Sequence, residues 1–334
     1  MNGEPDRARA RAGLRRRELG LLALAAACPA LARAADVLTT LLVPYPAGGP
    51  GDVAARQMLP LLRNGLGHVV IAENLAGAGG SLAVQKMLSA PPDGRTLVLG
   101  TPNETILAPL ALSAVKYAPE QLRLLGMVNV SPLVLVGAPQ LPYATLADLL
   151  AAQRKPGAKQ LNYGTSGIGS LFHLVSEDFC ARAGLQMLHV PYKGTAPLLQ
   201  DLVGGQIDLA FVPTGGSVPA FINEGRLRAY ALTRAQRYER LPAVPTMAQA
   251  AGIDGFDYEL WGGIFGSREV PEATQRTINA AINQALQDPG LQEQMRASGG
   301  SAGRPLSLEQ AQEFFQRETL KYQQIARSIR LERQ

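Results

Sequence analysis

The residues that could do chemistry in this sequence gather in a few short loops. Pro44-Tyr45-Pro46-Ala47-Gly48-Gly49-Pro50-Gly51-Asp52 joins a strand-like run to a helix-like one. Its glycines permit close backbone approach. The free N–H groups of the helix that follows favour an anion there without any lysine or arginine. The same residues also fit an ordinary tight turn with Asp52 as the helix cap, and in that role Asp52 competes for those N–H groups. Tyr163-Gly164-Thr165-Ser166-Gly167-Ile168-Gly169-Ser170 repeats the arrangement, with three aliphatic hydroxyls ahead of a segment carrying His173. It too reads as a ligand loop or as a capped glycine-rich turn. Thr101-Pro102-Asn103 follows another strand and is expected at the same sheet edge as Gly48. His189-Val190-Pro191-Tyr192-Lys193-Gly194-Thr195 supplies a further loop whose cation, Lys193, is either a ligand contact or a solvated side chain. Two donor-rich loops facing each other would suit a small ligand with two acceptor ends.

Several catalytic patterns are missing. No Gly-x-x-x-x-Gly-Lys-Ser/Thr occurs, so there is no Walker phosphate loop. Gly77-Ala78-Gly79-Gly80-Ser81-Leu82 follows a strand but lacks the third glycine of a dinucleotide fingerprint. Gly164-Thr165-Ser166-Gly167-Ile168 approaches a nucleophile elbow, with Ile168 where the second glycine belongs. The three histidines, His68, His173 and His189, are scattered, and neither Cys-x-x-Cys nor His-x-x-x-His appears. These absences favour binding over catalysis, with no cofactor and no metal. The catalytic alternative is an exported hydrolase using Ser166 and His173.

The elements that must position these loops alternate. Val37–Pro44, His68–Ala72 and Arg95–Gly100 read as strands, and Asp52–Arg63 and Gly80–Ala90 as helices. The first helix is expected to end at Asn64-Gly65 and to be kinked or shortened by Pro60. This β-α-β-α-β order argues for a mainly parallel sheet. Leu124–Ala138 is best read as a buried strand, and a second round starts near Leu133–Val136. It continues through helical Leu146–Gln153, extended Leu161–Gly164, helical Ser170–Gly184, extended Met187–Pro191, helical Ala196–Val203, extended Ile207–Val212, helical Val218–Glu224 and extended Leu227–Thr233. The tail is expected to be all helix. Pro271 stands at the first position of Glu272–Gln287, Gln292–Ser298 is short, and Ser307 with Gln310 forms a capping box for Leu308–Leu331. Trp261, the single tryptophan, reads as hinge or core packing near the return crossing between two α/β lobes.

The chain has 334 residues, 46% of them hydrophobic and 18% charged, which is a globular composition for about two domains. The formal charge of +5 is uneven. Residues 1–34 hold seven arginines and three acids, net +4; the other 300 hold 25 basic and 24 acidic side chains, net +1. Nothing there suggests a nucleic-acid partner. Basic Arg7–Arg17, apolar Leu19–Cys28 and small residues at Ala32 and Ala34 have the layout of a secretory signal peptide. The apolar run is too short to span a bilayer. Cleavage is expected after Ala34. Arg16-Arg17-Glu18-Leu19 loosely resembles a twin-arginine export signal, and Ala25-Ala26-Ala27-Cys28 is a poor lipobox. Cys180 would then be alone in the exported chain, unable to form an internal disulfide, and its apolar setting suits a buried small hydrophobe.

Taken in order, Pro44–Asp52, Glu73-Asn74, Gly77–Gly80, Pro92-Asp93-Gly94, Leu161–His173, His189–Gly194, Gly204–Asp208 and Val244-Pro245-Thr246 resemble a Bug receptor, the solute-binding component of tripartite tricarboxylate transporters. The resemblance runs over about residues 37–325. It implies an α/β type II periplasmic binding-protein fold: two lobes around a ligand cleft, with a helical C-terminal tail. Mapped here, lobe 1 is 35–136 plus 261–334 and lobe 2 is 137–260. It implies a non-enzymatic periplasmic receptor, a monomer, that passes a small organic acid to membrane permease subunits; a periplasmic ligand sensor is the alternative role. The family pattern carries ligand contacts over to Tyr45, Ala47, Gly48 and Gly49 in the first loop and to Thr165, Ser166, Ser170 and His173 in the second. Asp52, Thr101, Asn103, Gly169, Lys193 and Gly194 complete the candidate set. This sequence departs from the pattern at Gly51, where many members have Thr, and at Leu75-Ala76, where Arg-Pro is common. Both changes remove groups suited to a strongly anionic ligand. A monocarboxylate, a short dicarboxylate or a neutral amide fits as well as a tricarboxylate.

Overall fold

The computed structural model describes residues 38–192 and 194–328. The expected leader and Lys193 lie outside them.

Strand β1 (Leu38–Val43) is the first of a run of strands that carry apolar side chains on both faces. Leu41 and Val43 enter one core and Leu42 the other. Strand β3 (Thr96–Gly100) does the same with Leu97 and Leu99 against Val98. Near-continuous apolar strands are what a sheet covered by helices on both faces requires. On one side the cover includes α1 (Pro50–Leu66) and α9 (Glu272–Ala285), which supply Met58, Leu62, Ile278 and Ile282. On the other, α2 (Ser81–Ser89) supplies Ala83, Val84 and Met87.

The sheet runs β2 (Val69–Asn74), β1, β3, β9 (Glu259–Ser267), β4 (Leu122–Gly137), β7 (Leu209–Pro213), β5 (Asn162–Thr165), β6 (Leu188–Pro191). Strand β4 holds its two halves together. Its residues from Leu122 to Pro132 pair with β9, and those from Leu133 to Gly137 pair with β7 and with β8 (Arg228–Leu232). Pairing is parallel within each outer group, β2-β1-β3 and β7-β5-β6. The centre is antiparallel, because β9 returns against both β3 and β4. The parallel pairing expected from the β-α-β-α-β order holds for β2-β1-β3. A strand that carries the chain from one half to the other, and a second that brings it back, must run in opposite directions.

Local signals explain most boundaries and correct several. Helix α1 does not stop at Asn64-Gly65; it reaches Leu66, and Gly67 closes it at φ 72° with its N–H on the Arg63 carbonyl at 2.9 Å. Pro60 does not shorten it, since the proline sits on the exposed face within the 17-residue helix. Asp52 is not the cap: Gly49 holds that place and Asp52 lies in the first turn. Pro271 is likewise the cap of α9 rather than its first residue. The tail is not wholly helical. Between α10 (Pro289–Ala297) and α11 (Leu308–Ser328), the short β10 (Ser301–Ala302) pairs antiparallel with β4. The Ser307–Gln310 box caps α11 as expected. Trp261 is core: it is 2% exposed, packs against Phe265, Phe314 and Phe315, and donates to Glu318 Oε2 at 3.0 Å. Cys180 is buried, and burial pushes its thiol up to about 12. Among the described residues no helix is long and apolar enough to cross a membrane.

Candidate functional site

The loop between β1 and α1 is shaped by its own acid. Asp52 is buried, and its Oδ2 accepts from the Gly48 N–H and from Arg56 Nε, both at 2.9 Å. Its Oδ1 accepts from Asn74 Nδ2 at 3.0 Å, and the same amide reaches the Tyr45 carbonyl at 3.0 Å. The Arg56 guanidinium, followed by the Gly48 amide, holds the Asp52 carboxyl down at about 2. The Gly49 N–H donates to the Pro46 carbonyl at 3.3 Å. Two of the backbone donors that made this loop attractive for an anion are therefore engaged inside it. Ala47 lies exposed at its tip.

Beneath the loop, Tyr45 donates from its hydroxyl to Glu104 Oε2 at 2.7 Å and lies 3.3 Å from Thr101 Oγ1. Thr101 donates its own hydroxyl to the same Glu104 oxygen at 2.9 Å and its amide to Oε1. Glu104 belongs to a π-helical turn, Asn103–Leu107, that follows β3, and it is fully buried. Burial pushes its carboxyl up to about 7, against the lowering pull of the Tyr45 and Thr101 hydrogen bonds. Gly80 has φ 89°, and a Cβ there would stand 3.2 Å from Glu104 Oε2 and 3.1 Å from Pro44, so the Gly77–Gly80 turn closes over the carboxylate.

The second loop leads from β5 to α5 (Leu171–Ala183). Ser170 caps α5, its Oγ accepting from the His173 N–H at 3.4 Å and donating to the Gly167 carbonyl at 2.7 Å. His173 Nδ1 accepts from the Gly169 N–H at 3.1 Å, so the neutral ring carries its proton on Nε2. Its ring stacks on His189 at 4.1 Å, and His189 stacks on Tyr163 at 5.0 Å. Thr165, fully buried, meets His189 Nε2 at 2.7 Å. Burial lowers both histidines; His189, with His173 against it, is brought to about 4. The stack is therefore uncharged at neutral pH.

The second loop meets the segment that follows β3 at one place. Asn103 Oδ1 accepts from the Leu171 N–H at 2.9 Å, capping the start of α5 from the other half of the sheet. A Cβ on Gly169 would overlap that of Ala111, in the helical turn α3 (Ala108–Ala111), and Gly169 has φ 72°. Asn103 and Ala111 thus lie against Leu171 and Gly169, and Tyr45 joins the same segment through Thr101 and Glu104. Gly194 caps α6 (Thr195–Val203). Ser166 is half-buried, and among the described residues no hydrogen bond joins it to a histidine. A triad histidine donates through one ring nitrogen to an acid while the other faces the serine; here Nδ1 of His173 accepts from a backbone amide instead. Among the described residues no group of three His, Cys, Asp or Glu could hold a metal. The sequence reading missed Glu104, Ala111 and the stacked His189. A carboxylate entering the apolar stretch Thr105–Leu112 was the one available signal for Glu104.

A family model described as the tripartite tricarboxylate transporter family receptor matches residues 54–331. This chain belongs to that receptor family. BugT of Bordetella pertussis (strain Tohama I) is 34% identical to the receptor over 265 residues, 78% of this chain and 80% of its own. The periplasmic binding protein BugD superposes with a TM-score of 0.75 at 28% identity, covering 89% of this receptor and 99% of BugD. MatC from Rhodopseudomonas palustris, solved with bound malate, gives 0.75 at 28% identity over 86% and 99%. The receptor therefore has the α/β fold of the periplasmic binding proteins, and its family is one of binding proteins.

Proposed function

We propose that this receptor is exported through the leader at residues 1–34, captures a small organic acid between two lobes, and delivers it to membrane permease subunits. Lobe 1 is 35–136 plus 261–334, and lobe 2 is 137–260. The observation that supports the reading is the hydrogen bond from the Leu171 N–H, at the start of α5, to Asn103, two residues after Thr101. That N-terminus is suited to a carboxylate. The malate held by MatC supports the ligand class. Contacts to both lobes exist only when they close, so ligand shifts the population toward the closed form.

Thermal denaturation of the exported chain with a panel of small acids, amides and amino acids tests this. A ligand at about 100 times its Kd adds about 2.7 kcal/mol, which raises the midpoint by several degrees. A cooperative transition unmoved by every compound contradicts the reading.

A further inference from the structure

The proton count around Glu104 sets the polarity of one end of the site. A hydroxyl carries one proton. Tyr45 gives its proton to Glu104 Oε2 at 2.7 Å, and Thr101 gives its own to the same oxygen at 2.9 Å. What both hydroxyls have left for a ligand is lone pairs, and one of those on Thr101 already takes the Asn103 N–H at 3.3 Å. Asp52 removes a further donor by holding the Gly48 N–H. The nearby cation, Arg56, is spent on Asp52 and on Asn74. The Tyr45 and Thr101 hydroxyls thus present acceptors backed by a buried carboxylate. At the other end the Gly167, Gly169, Ser170 and Leu171 amides are engaged, while the Ser166 hydroxyl and the Ser166 and Ile168 amides take no partner among the described residues.

We propose that Glu104 makes the Tyr45–Thr101 end of the cleft select a hydrogen-bond donor. The ligand is then a small acid whose carboxylate lies toward the start of α5 and whose other end carries an N–H or O–H group. This rests on the receptor reading above and names its ligand class. Glu104 is a positioning residue: it acts through the two hydroxyls.

The test uses three matched pairs: succinate and succinamate, glutarate and glutaramate, adipate and adipamate. Each pair differs only in replacing one carboxylate by an amide. Titration calorimetry of wild type at pH 8, where the Glu104 carboxyl is ionised, should give a monoamide Kd at least tenfold below that of its diacid for the chain length that fits. Glu104→Gln supplies an N–H to one hydroxyl and frees a proton toward the cleft, so this preference should fall to within about threefold. Tyr45→Phe, which leaves Glu104 in place, should weaken the monoamide and spare the diacid. A diacid that binds wild type as tightly as its monoamide, or a preference unchanged in both variants, overturns the assignment and leaves the receptor reading standing. Binding by none of the six overturns this inference, and the receptor reading then stands or falls on the wider panel of acids, amides and amino acids.

Discussion

Asn103 and Leu171 lie 68 positions apart in sequence and are joined by one hydrogen bond, 2.9 Å from the Leu171 amide nitrogen to Asn103 Oδ1. Asn103 follows β3 in one half of the sheet, and Leu171 opens α5 in the other. An acceptor at that position takes one of the unsatisfied N–H groups of a helix start. A ligand carboxylate between the halves would compete for the same donor.

Asn103→Ala removes that acceptor and leaves the Leu171 N–H to water. A hydrogen bond of this kind contributes about 1 kcal/mol, or about fivefold in the balance between closed and open forms. Small-angle scattering at the ligand concentration that half-saturates wild type should show a larger radius of gyration for the variant than for wild type. An unchanged radius means that the bond does not hold the halves together.

Glu104 should dominate one part of the pH profile. Its folded pKa is about 7 against an ordinary 4.5, so burial penalises the ionised form. The stability it contributes is fully present below pH 4.5 and is lost as pH rises through 7. The titratable groups packed on it, Tyr45 and Tyr117, are both raised by burial and stay neutral throughout. The His173–His189 pair runs the other way: the folded state keeps it neutral, and stability falls as pH drops from 6.5 toward 4. Comparing wild type with Glu104→Gln isolates the first effect. From pH 8 to pH 5 wild type should gain about 3 kcal/mol relative to the variant, read as several degrees of Tm. Parallel Tm curves for the two proteins contradict the burial of an ionisable group at 104.

Much of this fold is legible in the sequence, where the signal is local. Ser307 and Gln310 announce the start of α11 because a capping box needs only four consecutive residues, and both of its bonds form, at 2.9 and 3.2 Å. The apolar run Leu124–Ala138 announces a buried strand. That the strand serves both halves is decided by β9, β7 and β8, which lie far along the chain. Glu104 was hidden for the same reason. Thr101-Pro102-Asn103-Glu104 looks like an exposed polar turn, and only the packing of Pro44, Gly80 and Tyr117 around it turns the carboxylate inward. The helix cap at Asp52 was misplaced because Pro50 starts α1 two residues earlier, from Gly49.

Pro60 marks a site where stability can be gained. A proline inside a helix leaves the carbonyl four residues earlier, that of Arg56, without its usual donor and costs about 3 kcal/mol. Its side chain is exposed, so replacement disturbs no core packing. Pro60→Ala should raise Tm by a few degrees with ligand binding unchanged, as measured by calorimetric unfolding and titration. A lower Tm means that the proline ring fits this helix without strain.

A small organic acid held where the start of α5 meets the Asn103–Ala111 segment would depend on the close approach of the two. Gly169 tests it most directly. Its φ of 72° and the Ala111 side chain leave no room for a Cβ when the halves meet, whereas opening relieves the overlap without unfolding either half. Calorimetric titration of the tightest small acid should give one site per chain in wild type. In Gly169→Asn, where the new residue tolerates positive φ, affinity should fall at least tenfold at near-native Tm. Equal affinity in the two proteins would place the ligand elsewhere.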